Sequence, residues 1–114
     1  MWDIEFFEND NGRCPSKEYI LSLNPVNDQP FIDNAFDRLR KLGNELTRPQ
    51  SGFLKDGLYE LRIDTRTGHF RFIYFFDGRK IIVVTHGFLK KTRKIPQGEI
   101  EKANNYRAIY FSRK

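Results

Sequence analysis

Apolar and polar residues alternate in the first stretch of the chain. Trp2, Ile4 and Phe6 fall on one side and Asp3 and Glu5 on the other, which predicts a half-buried strand over residues 2–8. Residues 9–12 form a turn by composition. The period then lengthens. Residues 15–23 put Tyr19, Ile20 and Leu23 on one helical face, with Ser16 as the cap. Asn24-Pro25 ends this helix, because the residue before a proline is pushed out of the helical region. A longer helix follows, with Asp28 at its N-cap and Pro30 in its first turn. Its apolar stripe is Phe31, Ile32, Ala35, Phe36, Leu39 and Leu42, and Gly43 is the expected left-handed residue after it. Residues 46–57, with Pro49, Gly52 and Gly57, read as a connector.

From residue 58 the period returns to two. LYELRID, HFRFIYFF and KIIVVTH are rich in β-branched and aromatic residues and predict three antiparallel strands. Asp64-Thr65-Arg66-Thr67-Gly68 joins the first two, and Asp77-Gly78, a strong hairpin signal, joins the second and third. Pro96 opens a final helix on which Ile100, Ala103, Asn104, Arg107, Ala108 and Phe111 share a period, with Tyr106 and Tyr110 alongside. That face is only partly apolar, so the helix is expected either to pack at the edge of the sheet or to move when a partner binds. The predicted fold is α+β in one domain spanning residues 1–114: an antiparallel sheet of about four strands packed on an N-terminal helical hairpin, with a C-terminal helix.

The turns imply registers. A four-residue loop over residues 65–68 pairs Asp64 with His69 and Arg62 with Arg71. A two-residue loop at Asp77-Gly78 pairs Phe76 with Arg79, which sets Arg71 opposite Val84 and His69 opposite His86. One face then carries Tyr59, Leu61, Ile63, Phe70, Phe72, Tyr74, Ile81, Val83 and Thr85. The other carries Glu60, Arg62, Asp64, His69, Arg71, Ile73, Ile82, Val84 and His86. Two arginines directly opposite each other are destabilising by a few tenths to ~1 kcal/mol. The pair makes sense if a phosphate sits between the guanidinium groups, which match its oxygens bidentately. An ordinary network with Glu60 and Asp64 is the competing reading.

Charge sharpens this picture. Residues 1–52 carry a net −3, residues 53–96 a net +6 and residues 97–114 a net +2. The surplus therefore sits on the sheet and on Phe88-Leu89-Lys90-Lys91-Thr92-Arg93-Lys94 just after it, the footprint of a polyanion partner. Phe88 beside four cations would suit an RNA backbone with one base stacked on the ring. Histidines paired across a ladder can carry protons near neutral pH. His69, His86 and Asp64 could hold a metal by residue type, but the arginines around them disfavour a divalent cation. Phe fills 11 of 114 positions, so the core must be aromatic. The single Cys14 excludes an intramolecular disulfide and reads as a free thiol in a reducing cytoplasm. No apolar run approaches the ~20 residues of a membrane helix. The acidic start MWDIEFFEND lacks the form of a signal peptide. A cytoplasmic protein with no membrane partner is expected.

The order strand, two helices, three strands, helix resembles the RelE/ParE toxin superfamily. The stretch LKDGLYELRI…HFRFIYFF…IIVVTHGFLKKTRKIPQGEIEKA is similar to the HigB-type, phage-derived toxins of type II toxin–antitoxin operons. The resemblance covers residues 54–103 well and the N-terminal half in layout only. It implies a small RelE-like fold and a ribonuclease that cleaves mRNA, usually on the ribosome, without a metal or other cofactor. It also implies neutralisation by a helix-turn-helix antitoxin, with DNA contacted only through that partner. Arg71 falls on the strand arginine that contacts the scissile phosphate in the family, and Arg62 on a basic position of the preceding strand. Lys90, Lys91 and Arg93 fall in the basic segment that closes the site. Glu60 stands where some relatives carry lysine. Pro96 and Gln97 stand where a catalytic tyrosine occurs in RelE, so the general base is open among His86, His69 and Glu60, the alternative being a reaction that leans mainly on electrostatic stabilisation of the developing phosphorane. The candidate catalytic set is Arg71, Arg62, His86, Lys91 and His69, with His86 favoured as proton carrier. Lys90, Arg93, Lys94, Lys55 and Arg66 are the candidate RNA contacts. A ParE-like protein binder that inhibits DNA gyrase without chemistry, or an inactive RNA-binding module, are the alternatives.

Overall fold

A computed structural model describes all residues, 1–114. The chain runs β1 (Asp3–Phe6), α1 (Pro15–Leu21), α2 (Gln29–Leu42), a 3-10 turn (Gly43–Glu45), β2 (Ser51–Lys55), β3 (Leu58–Asp64), β4 (His69–Asp77), β5 (Ile81–Leu89) and α3 (Gln97–Ser112). The five strands form one sheet in the order β1-β5-β4-β3-β2. The α+β class is as expected, but the sheet is mixed and has five strands. β1 runs parallel to β5, pairing Asp3 with Ile81 and Phe6 with Val84. The chain then crosses by way of α1 and α2 to β2 at the opposite edge.

β2 lies inside the segment read as a connector. It pairs antiparallel with β3, and the turn between them is Asp56-Gly57, both at positive φ (53° and 82°). That is the same hairpin signal read at Asp77-Gly78, here serving a strand shortened by a bulge between Phe53 and Lys55. Arg107 of α3 donates to the Asp56 carbonyl and ties this turn down.

The first helical reading holds in outline. α1 has Pro15 in its first turn, and α2 buries Ile32, Ala35, Phe36 and Leu39, while Phe31 and Leu42 stay exposed. Ser16 does not cap α1; its Oγ is buried without a partner. Asp28 occupies the N-cap position of α2, but its carboxylate is turned to the β3–β4 turn instead. There it accepts hydrogen bonds from Thr65 Oγ1 (3.2 Å) and Thr67 Oγ1. Gly43 has the expected positive φ (52°), and a Cβ there would strike the Trp2 indole.

Two cores flank the sheet. α1 and α2 cover Leu61, Ile63, Phe70, Phe72, Tyr74, Ile82 and Val84. The other face carries Leu58, Ile73, Phe75, Val83 and Phe88, and α3 covers it with Ala103, Ile100, Tyr106, Ile109 and Tyr110. α3 therefore does not sit at an edge; it lies over half of the face expected to be open. Its buried face is turned from the predicted stripe toward Tyr106 and Tyr110, because aromatic rings fill the space over Phe7 and Phe75. No helix is long and apolar enough to cross a membrane.

The β3–β4 register is the expected one: Asp64 pairs with His69, Arg62 with Arg71 and Tyr59 with Tyr74. The β4–β5 register is not. Asp77 pairs with Ile81, so the loop is the three residues Gly78-Arg79-Lys80, and a bulge at Thr85 then resets the ladder to pair Ile73 with His86 and Arg71 with Phe88. His69 is not opposite His86, and Ile82 and Val84 move to the helix-covered face. A shift by an odd number of residues flips every side chain of a strand. The bulge flips the end of β5 back, which is why His86 keeps its expected face.

Candidate nucleic-acid interface

The uncovered half of the second sheet face begins where α3 ends its cover. β3 and β4 bring Glu60, Arg62, Asp64, His69 and Arg71 to it. Beyond Leu89 the chain leaves the sheet after one last bond, Lys90 N–H to the His69 carbonyl (2.8 Å), and arches over this face through residue 96. The arch is held by a turn in which Thr92 Oγ1 donates to the Lys94 carbonyl (2.7 Å). Two adjoining cavities result, of about 360 and 470 Å³, in the size range of small-ligand sites. Arg62, Asp64, His69, Arg71, Lys90, Lys91, Thr92 and Arg93 line the first. The second shares Arg62, Lys90 and Arg93 and adds Arg48, Lys94, Glu60 and Gln97, with Phe53, Leu54, Ile95 and Ile100.

Seven cations and two carboxylates line the pair of cavities, a surplus of five that equals the formal net charge of the whole chain. The rest of the molecule is thus balanced, and the positive field is concentrated in this groove. Six of the seven (Arg48, Arg62, Lys90, Lys91, Arg93 and Lys94) have no carboxylate within ion-pair distance.

Arg71 differs from those six. Its side chain is 3% exposed; Nη1 donates to Asp64 Oδ1 (2.7 Å) and to the Phe70 carbonyl (2.9 Å), and Nε lies 3.1 Å from Glu60 Oε1 without hydrogen-bond alignment. Nη2 has no protein partner. The neutralising network foreseen for the arginine pair is therefore real for Arg71, and Arg62 is left out of it. Arg62 Nε is buried with no hydrogen-bond partner at all. Leaving such a donor unmet costs about 1–3 kcal/mol, and an anion in the groove would satisfy it.

His69 borders the first cavity. Its Nδ1 donates to Asp64 Oδ1 (2.9 Å), and Nε2 has no partner. Burial opposes ionisation of Asp64, but hydrogen bonds from Arg71 and His69 outweigh it and hold its carboxyl below the ordinary range. His86 lies elsewhere. It is 3% exposed, under α3, with Nε2 3.0 Å from Glu99 Oε1 and Nδ1 3.0 Å from Thr85 Oγ1. It borders neither cavity, so the two histidines and Asp64 do not converge. Phe88, expected as a stacking ring, is also buried (8% exposed) and stacked on His86. Arg66 sits apart, beside Val26 and Phe31 at a separate cavity, and Lys55 borders neither cavity of the groove. Sequence reasoning missed Arg48, Phe53 and Gln97. The first two flank or belong to β2, and the unread Asp56-Gly57 turn was the signal that could have found them.

Burial pushes the His86 imidazole below its ordinary value, against the opposing hydrogen bond to Glu99; Lys102 nearby adds to the lowering. In the unfolded chain His86 protonates near ~6.5, and in the folded protein only at lower pH. The unfolded state therefore binds more protons in that window, so stability holds above about pH 6.5 and falls as pH drops through the folded value. Urea titrations across this window should show that slope, and His86→Gln should flatten it. An unchanged slope in the variant would assign it to another group.

A family model described as phage derived protein Gp49-like (DUF891) matches residues 18–108, which is 91 of the 114 residues. No curated protein matches the chain.

Proposed function

Because the chain belongs to the Gp49-like family of phage-derived proteins, we propose that it is the toxin of a type II toxin–antitoxin pair and acts as an endoribonuclease on mRNA. The family's association with toxin–antitoxin systems supports the first part. The observation that carries the second is the unpartnered, half-buried Arg62 guanidinium at the junction of two cavities lined by unpaired cations.

The chemistry is cleavage by the substrate's own ribose. The 2′-oxygen attacks the adjacent phosphorus, forming the 2′,3′-cyclic phosphate, and the bond to the 5′-oxygen breaks. A proton leaves the 2′-hydroxyl and another reaches the departing 5′-oxygen. Arg62 and the free Nη2 of Arg71 stabilise the negative charge that builds on the phosphorane. His69 is the better proton acceptor than His86, since it is exposed on the cavity and oriented by Asp64. Lys91, exposed on the same cavity, is assigned the proton for the 5′-oxygen. Lys90, Arg93, Lys94 and Arg48 hold the backbone electrostatically, so binding weakens steeply with salt. The ribosome as the place of cleavage and a helix-turn-helix antitoxin as the inhibitor complete the proposal.

Primer extension on transcripts after induction tests it. Discrete ends carrying a 5′-hydroxyl, with cyclic phosphate on the upstream fragments, are expected. Growth arrest with intact transcripts and DNA damage would overturn it in favour of the gyrase-binding alternative.

A further inference from the structure

The groove does not end at the second cavity. Arg48 and Phe53 border it and also border a smaller hollow of about 250 Å³ that continues over the outer edge of the sheet past Thr47 and Tyr59. β2 is that edge, and its far side pairs with no other strand. Phe53 stands there 59% exposed, a large apolar ring beside a run of unpaired cations. Exposed rings at sheet edges invite unwanted pairing, so this one calls for a reason.

Its mounting is rigid. The ring meets Tyr59 nearly at right angles (74°, centroids 5.3 Å apart), and Tyr59 stacks on the buried Tyr74 (19°, 5.6 Å). Tyr74 is pinned in turn by the hydroxyl of Ser51 on β2 itself (2.5 Å). An aromatic ladder on the α2-covered face thus runs from the core out to the sheet edge and seats Phe53 where the groove meets the hollow that wraps that edge. Arg48, free of carboxylates, stands on the same stretch of groove. A cationic track with a fixed aromatic ring is the arrangement that binds single-stranded nucleic acid, phosphates along the track and a base on the ring.

We propose that Phe53 and Arg48 form a base-stacking subsite for a nucleotide of single-stranded RNA flanking the scissile phosphate. The inference rests on the ribonuclease reading above and adds to it where the strand leaves the site and which ring receives a base. Stacking on a phenyl face accepts any of the bases, so the subsite raises affinity and sets the path of the strand more than it selects sequence. A base stacked on an aromatic ring contributes about 1–3 kcal/mol, so Phe53→Ala should weaken binding about 5- to 150-fold.

The test uses the full chain and a short single-stranded oligoribonucleotide, with inorganic polyphosphate as a baseless polyanion. Phe53→Ala is expected to weaken RNA binding by that factor and leave polyphosphate binding unchanged. Phe53→Trp is expected to retain RNA binding and to gain fluorescence quenched by RNA but not by polyphosphate. If wild type binds RNA and cleaves it while Phe53→Ala binds equally well and Phe53→Trp is not quenched, the subsite is wrong and the ribonuclease reading stands. If wild type binds no RNA, the subsite is wrong, and the transcript ends after induction decide the ribonuclease reading.

Discussion

Arg62→Ala is expected to lower RNA cleavage by about 10²–10³-fold, the effect of removing one preorganised donor from a developing anion, while the protein becomes no less stable. The two halves of this expectation come from one fact: Arg62 has no protein partner to lose. Its Nε is buried and unmet, and it stands directly opposite Arg71 in the β3–β4 ladder. Truncation therefore removes an unsatisfied donor and a like-charge opposition of a few tenths to ~1 kcal/mol. A side chain that carries both penalties has its compensation outside the fold. Single-turnover cleavage and urea unfolding on the same preparations measure the two halves. Arg62→Lys, which keeps the charge but not the planar fork, should fall between wild type and alanine. Cleavage at the wild-type rate by Arg62→Ala would remove Arg62 from the site and take the central support of the proposed activity with it.

That pair of arginines could be read directly from the sequence because only one loop stands between their strands. Four residues close the turn from Asp64 to His69, and a short loop fixes register without help from the rest of the fold. The next hairpin shows the limit of such counting. Asp77-Gly78 has the form of a two-residue turn, yet the loop extends to Lys80 and Thr85 bulges out of β5. Nothing local marks either event. The gain that selects this register is tertiary: Ile82 and Val84 reach the α2 side, while Val83 and Phe88 reach the α3 side. His86 owes its position to tertiary contact as well. Its type and strand position suggested chemistry, and only the docking of α3, with Glu99 in its first turn, turns it into an interior tie. β2 fails differently. Its Asp56-Gly57 turn is visible in the sequence, but five residues with a glycine and a bulge are too short for period to declare a strand. Phe88, expected as a stacking ring, is buried, and the exposed ring that borders the groove is Phe53.

Arg71→Ala should give the largest loss of stability of any change in the groove, about 3–5 kcal/mol, the range for removing one partner of a buried ion pair. The lower end is expected, because Asp64 is half exposed and water can take up part of its lost contact, whereas Glu60 is left buried beside an empty space. Growth arrest alone would be a poor assay of this variant, since a protein that unfolds is also inactive. Urea unfolding with a companion double variant separates the causes. Glu60→Gln combined with Arg71→Met leaves no unpaired charge at the buried position and should recover much of the lost stability, without recovering cleavage. The pH dependence gives a second check with a definite sign. The carboxyl of Asp64 is held down in the folded protein, so its contribution is present above the ordinary carboxylate value near 3.8 and is lost as pH falls through the folded one. Removing Arg71 takes away the strongest hydrogen bond holding it there, so Arg71→Ala should lose less of its remaining stability on acidification than wild type does. If the double variant proves as unstable as the single one, buried charge is not the cause, and the packing of the Arg71 stem against the ladder would have to carry the difference.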